Sequence, residues 1–349
     1  MDNFKHRILW IDLIKVFAIF SVLVLHIAAP ILEQYNNISL SSWHIGNIYD
    51  SAVRMSVPLF FMISGVLLLN SKEENLNTFF KKRFLKVVIP LIVWTFLYIL
   101  FRKYIQHQDI NIFIQLFKGI LSPRYFHLWF LYVIVGIYLI LPLLKILINN
   151  STTKMQIYFL LLWLYSFSII PSIGEFTGQN IPNYLPMMSS FIGFLVLGFL
   201  LEKIKISKKF FYISILLAIA STAIAILGTY YLTEKANKFI PFFYHYSNII
   251  IIIQASAYFI MMRYIAEEYI SNMPKLKSII FTISFTSLGI YLIHPMILFL
   301  LREKMGIYAL NGGNPTYTIL LTLFLTYILS FFTIYLIQKI PILKQIVPR

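Results

Sequence analysis

The sequence predicts an all-α fold: a polytopic integral membrane protein of about ten transmembrane helices, with both termini cytoplasmic. Three observations carry that expectation. The 349 residues are 59% hydrophobic and only 12% charged, whereas soluble domains are about a quarter charged, and the mean hydropathy is +0.80. Apolar segments recur near 8–29, 49–70, 84–101, 127–148, 155–171, 185–201, 211–232, 246–265, 278–300 and 317–338. Each is long enough to cross a bilayer core or nearly so, the fifth and sixth being the shortest. Lysines and arginines, finally, fall unequally on alternate connections, which orients the chain.

The first span, Trp10 to Pro30, organises the rest. It reads WIDLIKVFAIFSVLVLHIAAP and holds Asp12, Lys15 and His26 inside an apolar run. Lys15 and His26 are eleven residues apart, about three full turns plus roughly 20°, so they share one helix face roughly 16 Å apart. Asp12 lies three residues before Lys15, within pairing reach. Ionisable groups at membrane depth cost on the order of several kcal/mol unless paired or facing a polar cavity. The stripe is therefore expected to face the protein interior; the alternative for Asp12 and Lys15 is a paired, snorkelling helix end. A cleaved signal peptide is disfavoured by the charges inside the apolar region and by the many later spans.

With the N-terminus inside, 19 of the 29 Lys and Arg fall on cytoplasmic ends and loops, nine fall outside and Lys15 is intramembrane. Acidic residues divide evenly apart from Asp12, so the cytoplasmic face is the cationic one. This distribution fits membrane topology, and no nucleic-acid partner is expected. Arg54 closes the outer end of the second span. Arg83 and Lys86, with Lys81 and Lys82, precede the third. In the long outer connection, Asp109 to Leu121 carries apolar residues near helical spacing, which predicts an amphipathic helix at the outer surface or a lid. His127 and Trp129 open the fourth span, and His294 precedes Pro295 in the ninth. The second span also holds Ser64 and Gly65, the latter suited to close helix packing. No span repeats another, so no inverted-repeat transporter signature is present.

The chain has no cysteine, which excludes disulfides, thiolate metal sites and a cysteine nucleophile. Six of the seven histidines fall toward the outer half, none paired at helical ligand spacing, so no metal is expected. Residues 1–349 are expected to form one transmembrane domain with no appended soluble domain. Any chemistry then belongs within the membrane or at the loops.

Four stretches, in order, carry a resemblance. They are the first-span cation ten intervening residues before His26, RMSVPLFFMISGVLL in the second span, KKRFLKVVIP after it, and SLGIYLIHP in the ninth. Together with HLWFLYVIVGIYLILP in the fourth span, they resemble the membrane-bound acyltransferase family 3, of the stand-alone surface-glycan O-acetyltransferase type. The resemblance implies O-acyl transfer, often of acetyl, from cytoplasmic acyl-CoA to a hydroxyl of a cell-envelope glycan or lipid-linked saccharide. Acetyl-CoA is then a co-substrate, with no bound cofactor, and the protein sits among the lipids of the plasma membrane. The implied catalytic residue is the first-span histidine, His26. The family's first-span arginine is Lys15 here, and the later arginine of the basic run is Lys86. Each keeps the charge and loses the planar, bidentate fork.

The residue chemistry agrees with that implication. Attack by a sugar hydroxyl needs a base, and imidazole titrates nearest neutrality. Asp12 joins His26 as a candidate catalytic group. Lys15, Arg83 and Lys86 are candidates for the donor's phosphates, Arg54, His127, Trp129 and His294 for the acceptor side. Ser64 has no identifiable base beside it as a nucleophile. A proton-coupled transporter or flippase of an anionic substrate, with Asp12 and His26 as a relay, is the alternative from another class.

Overall fold

The computed structural model describes residues 7–72, 74–185, 191–311, 313–341 and 343–348. Lys5, His6 and Arg349, which the charge reading places inside, lie outside the described residues. The described chain is all-α. Its helices are α1 (Leu9–Leu32), α2 (Leu40–Val53), α3 (Ser56–Leu69), α4 (Leu76–Tyr104), α5 (Ile112–Leu121), α6 (Trp129–Asn149), α7 (Thr153–Leu164), α8 (Ile170–Thr177), α9 (Ile192–Glu202), α10 (Lys208–Ala236), α11 (Ile249–Ile265), α12 (Pro274–Met305) and α13 (Pro315–Lys339). Among the described residues nine helical stretches are long and apolar enough to cross a membrane. Of the sixth expected span, 185–201, residues 186–190 lie outside the described residues, and the described part holds α9, 11 residues long.

α1 is the central strut. It packs against α2, α3, α11, α12 and α13, and Ile14, Ala18, Ile19, Leu23 and Ala28 along it are fully buried. It runs from a Lys15 end to a His26 end of the bundle. Outward-facing residues are apolar instead: Leu139 and Leu143 on α6, Leu216 and Leu227 on α10, Phe324 and Leu336 on α13 are all exposed. An apolar exterior around a partly polar interior is what a lipid solvent selects. The buried face of α10 carries Ser214, Ala218, Ser221, Ala225 and Thr229, and that of α13 carries Thr322, Thr326 and Ser330. Small residues there let helices approach, since lipid gives no hydrophobic drive to pack bulky ones.

The second span is broken between α2 and α3 for a stated reason. Pro58 has no N–H for the Arg54 carbonyl four residues earlier, so the helix cannot run through. The Met55 amide exposed by the break donates to Gln254 Oε1 at 3.1 Å. Gln254 also donates to the Ser51 carbonyl at 2.9 Å and Thr222 Oγ1 at 2.8 Å, stapling α2, α10 and α11 across the break. Farther along, α3 crosses α9 at two glycines. A Cβ at Gly65 would overlap the Leu195 backbone, and one at Gly198 would overlap that of Met62. α5 forms where an amphipathic helix is expected in the long connection. Asn111 caps it, accepting from the Ile114 amide at 3.1 Å, and Phe113, Phe117 and Leu121 stand out from the protein.

Candidate active site

Two cavities lie along α1. The larger, about 970 Å³, is at the His26 end and is floored by His26, Tyr98 and His127. The smaller, about 270 Å³, is at the Lys15 end and is lined by Lys15, Ser64, Lys86, Tyr138 and Ser287. Val22, Phe130 and Tyr291 also line it. Val22 is one turn, about 6 Å, from His26 on the same helix. Phe130 and Tyr291 pack ring to ring at 5.6 Å, and Tyr291 is 5.9 Å from both His127 and His294. Tyr291, which lines the smaller cavity, thus lies beside two of the histidines.

His26 on α1, His127 in the turn before α6 and His294 on α12 come together. The His26 and His294 rings are 5.1 Å apart and nearly parallel, and His294 and His127 are 5.7 Å apart. Phe126 covers His26 edge-on at 4.9 Å. Near-parallel rings do not aim their lone pairs at one point. Among the described residues no group of three has metal-ligand geometry.

Pro295 accounts for the pose of His294. It cannot donate to the carbonyl of Tyr291, four residues back, and that carbonyl takes His294 Nδ1–H instead, at 2.6 Å. A carbonyl only accepts, so the proton is on Nδ1 and Nε2 keeps its lone pair. His294 Nε2 is buried without a partner. The next carbonyl, Leu292, accepts from Tyr98 OH at 2.8 Å, and Tyr291 OH donates to the His127 carbonyl. Both His127 ring nitrogens are buried and unpartnered. Three ring nitrogens of the cluster, both of His127 and Nε2 of His294, are thus buried without a partner.

The other expected residues divide. Lys15 and Lys86 meet in the smaller cavity. Arg83 lies against the Phe79 ring at 5.2 Å, and its Nε is buried without a partner. Asp12 is remote from His26, about 21 Å along the helix. Its carboxylate is held by Arg7, with Nε to Oδ2 at 2.8 Å, and by Ser284 Oγ, while Lys15 stands 3.9 Å away. Arg54 pairs with Asp50 and lies over the Tyr244 ring at 4.1 Å. Trp129 stacks on Tyr246 at 5.9 Å and on Phe191.

Sequence reasoning missed Tyr98, Tyr291, Phe126 and Arg7. Only the proline at 295, which leaves carbonyls in need of donors, hinted at the tyrosines. It also missed the chain end: Trp94 Nε1 donates to the Ile346 carbonyl at 2.9 Å, Val347 is fully buried, and Pro348 lines the Lys15 cavity. The family model described as an acyltransferase domain, that of acyltransferase family 3, matches residues 8–336. Neither a curated protein nor a solved structure matches the chain.

Proposed function

The chain belongs to acyltransferase family 3, and from that membership we propose that it is a multi-pass O-acyltransferase of the plasma membrane. It moves an acyl group, acetyl in this reading, from cytoplasmic acyl-CoA to a hydroxyl of an envelope glycan or lipid-linked saccharide. The observation that supports the reading is a cavity lined by the cations Lys15 and Lys86 at one end of α1 and a second cavity lined by His26 and His127 at the other.

The donor enters the Lys15 end. Lys15, Lys86 and Arg83 hold its phosphates as point or forked charges, and Asp12 holds Arg7 and Lys15 in place. The pantetheine arm extends along α1 toward His26, a path of roughly 16 Å. The acceptor hydroxyl enters from the larger cavity, which His26 and His127 line, with the His294 ring 5.1 Å from that of His26. His26 takes the hydroxyl proton as the oxygen attacks the thioester carbonyl. The new C–O bond forms, the C–S bond breaks, and the proton passes to the departing thiolate. Arg54 and Trp129 belong to the acceptor side in this reading.

Sealed inverted vesicles with labelled acetyl-CoA outside and acceptor inside test the reading. Label appearing on enclosed acceptor, and disappearing with His26→Ala, is the expected result. Uptake of an anionic solute driven by a proton gradient, with no transfer of label, would replace the enzyme by a transporter.

A further inference from the structure

The larger cavity has a charge pattern that acyl transfer to a neutral sugar does not require. Three arginines from three separate elements line it: Arg102 in the last turn of α4, Arg124 between α5 and α6, and Arg302 in the last turn of α12. Arg102 is steadied by Gln108, its Nε donating at 2.7 Å. Arg302 lies 5.4 Å from the Tyr308 ring and 3.4 Å from Glu303, the one acidic residue lining the cavity. Arg124 has no ion pair among the described residues. Three like charges around one opening oppose each other unless an anion joins them. The guanidinium fork matches phosphate oxygens bidentately.

The wall between these arginines is apolar, with Phe101, Leu298, Phe299 and Ile307. α5 leads directly into the Arg124 segment, and it shows Phe113 and Phe117 at 84% and 66% exposure, a face suited to the headgroup–acyl boundary. The cavity thus joins a cationic opening, an apolar wall and a membrane-seated flank. At about 970 Å³ it is at the upper end of ordinary ligand sites, about 300–1,000 Å³, larger than an acyl group alone needs.

From these features we infer that the acceptor is a membrane-anchored amphiphile bearing a phosphate. Arg102, Arg124 and Arg302 grip the phosphate, the lipid chain leaves along the apolar wall, and the attached sugar presents its hydroxyl to the histidines. The inference rests on the acyl-transfer reading for what the site does, but it concerns what the site holds.

Binding is therefore measured without turnover. The full chain in nanodiscs is titrated with a short polyprenyl phosphate, the matching neutral polyprenol, inorganic phosphate and a soluble neutral oligosaccharide, read by native mass spectrometry and thermal shift. Polyprenyl phosphate should bind at least ~10-fold more tightly than the other three. Arg102→Ala, Arg124→Ala and Arg302→Ala should each weaken it by about tenfold, as loss of a hydrogen bond to a charged group does, and leave polyprenol binding unchanged. Lys118→Ala, on α5 and outside the cavity, should have no effect and controls for general surface charge. Equal binding of polyprenol and its phosphate, inorganic phosphate binding as tightly, or indifference to all three arginines would overturn the inference. Tight, arginine-dependent binding without transfer from acetyl-CoA would uphold it and reject the acyltransferase reading instead.

Discussion

His294 Nδ1 donates to the Tyr291 carbonyl at 2.6 Å, the carbonyl that Pro295 leaves without its helical partner. A helix defect thereby sets a tautomer. The lone pair of His294 Nε2 is presented in a buried place, 5.1 Å ring to ring from His26. Replacing Pro295 by Ala restores a backbone N–H that competes for the same carbonyl. Pro295→Ala is expected to keep or raise thermal stability while lowering the transfer rate several-fold. An unchanged rate would separate the proline from the chemistry.

His26→Ala should lower transfer by about 10²–10⁴-fold, the usual contribution of a positioned base, with an unfolding temperature close to the parent's. Label transfer from acetyl-CoA and a thermal melt in detergent check both halves. Parental transfer would remove His26 from the reaction.

Lys15→Arg should retain activity, and Lys15→Ala should raise the acyl-CoA requirement more than it slows the saturated rate. The motive is the shared cavity of Lys15 and Lys86. Steady-state kinetics against acyl-CoA separates the two effects. A Lys15→Ala enzyme with parental KM would make the lysine a helix-end charge only.

Asp12→Ala should act first on stability. Its side chain is 4% exposed and paired with an Arg7 that is 16% exposed. Removing one partner of such a buried pair costs about 3–5 kcal/mol. A denaturation midpoint unchanged from the parent's would contradict this. Arg7→Ala should mimic the loss.

Gly65→Ala should be poorly tolerated, because the added methyl meets Leu195 backbone rather than a side chain that can turn away. Overpacking of this kind costs about 1–3 kcal/mol or more. Gly136→Ala is the control, since a Cβ there meets nothing within 4 Å. Folded yield and melting temperature should fall for the first and hold for the second.

The sequence by itself determined the solvent and the scaffold. Apolar runs of the right length have no other stable use, and a His eleven residues from a Lys lies on its face by helix geometry alone. The long connection announced α5 through its amphipathic spacing, and the four stretches announced the family. What only the tertiary structure decided depends on packing between distant segments. His26, His127 and His294 lie far apart in the chain and meet because the turn before α6 seats against α12 beside α1, which no local periodicity encodes. Asp12 looked like a partner for His26 because both are polar on one span. In the folded chain its carboxylate is occupied by Arg7 and Ser284, an arrangement set by how α12 packs on α1. The partner of α9 is of the same kind: apolarity marks the stretch as membrane-seated, but only the folded chain places Ile192–Glu202 against α3 through Gly65 and Gly198. Hydropathy measures preference for lipid, whereas helix length and crossing depend on the backbone's closest neighbours.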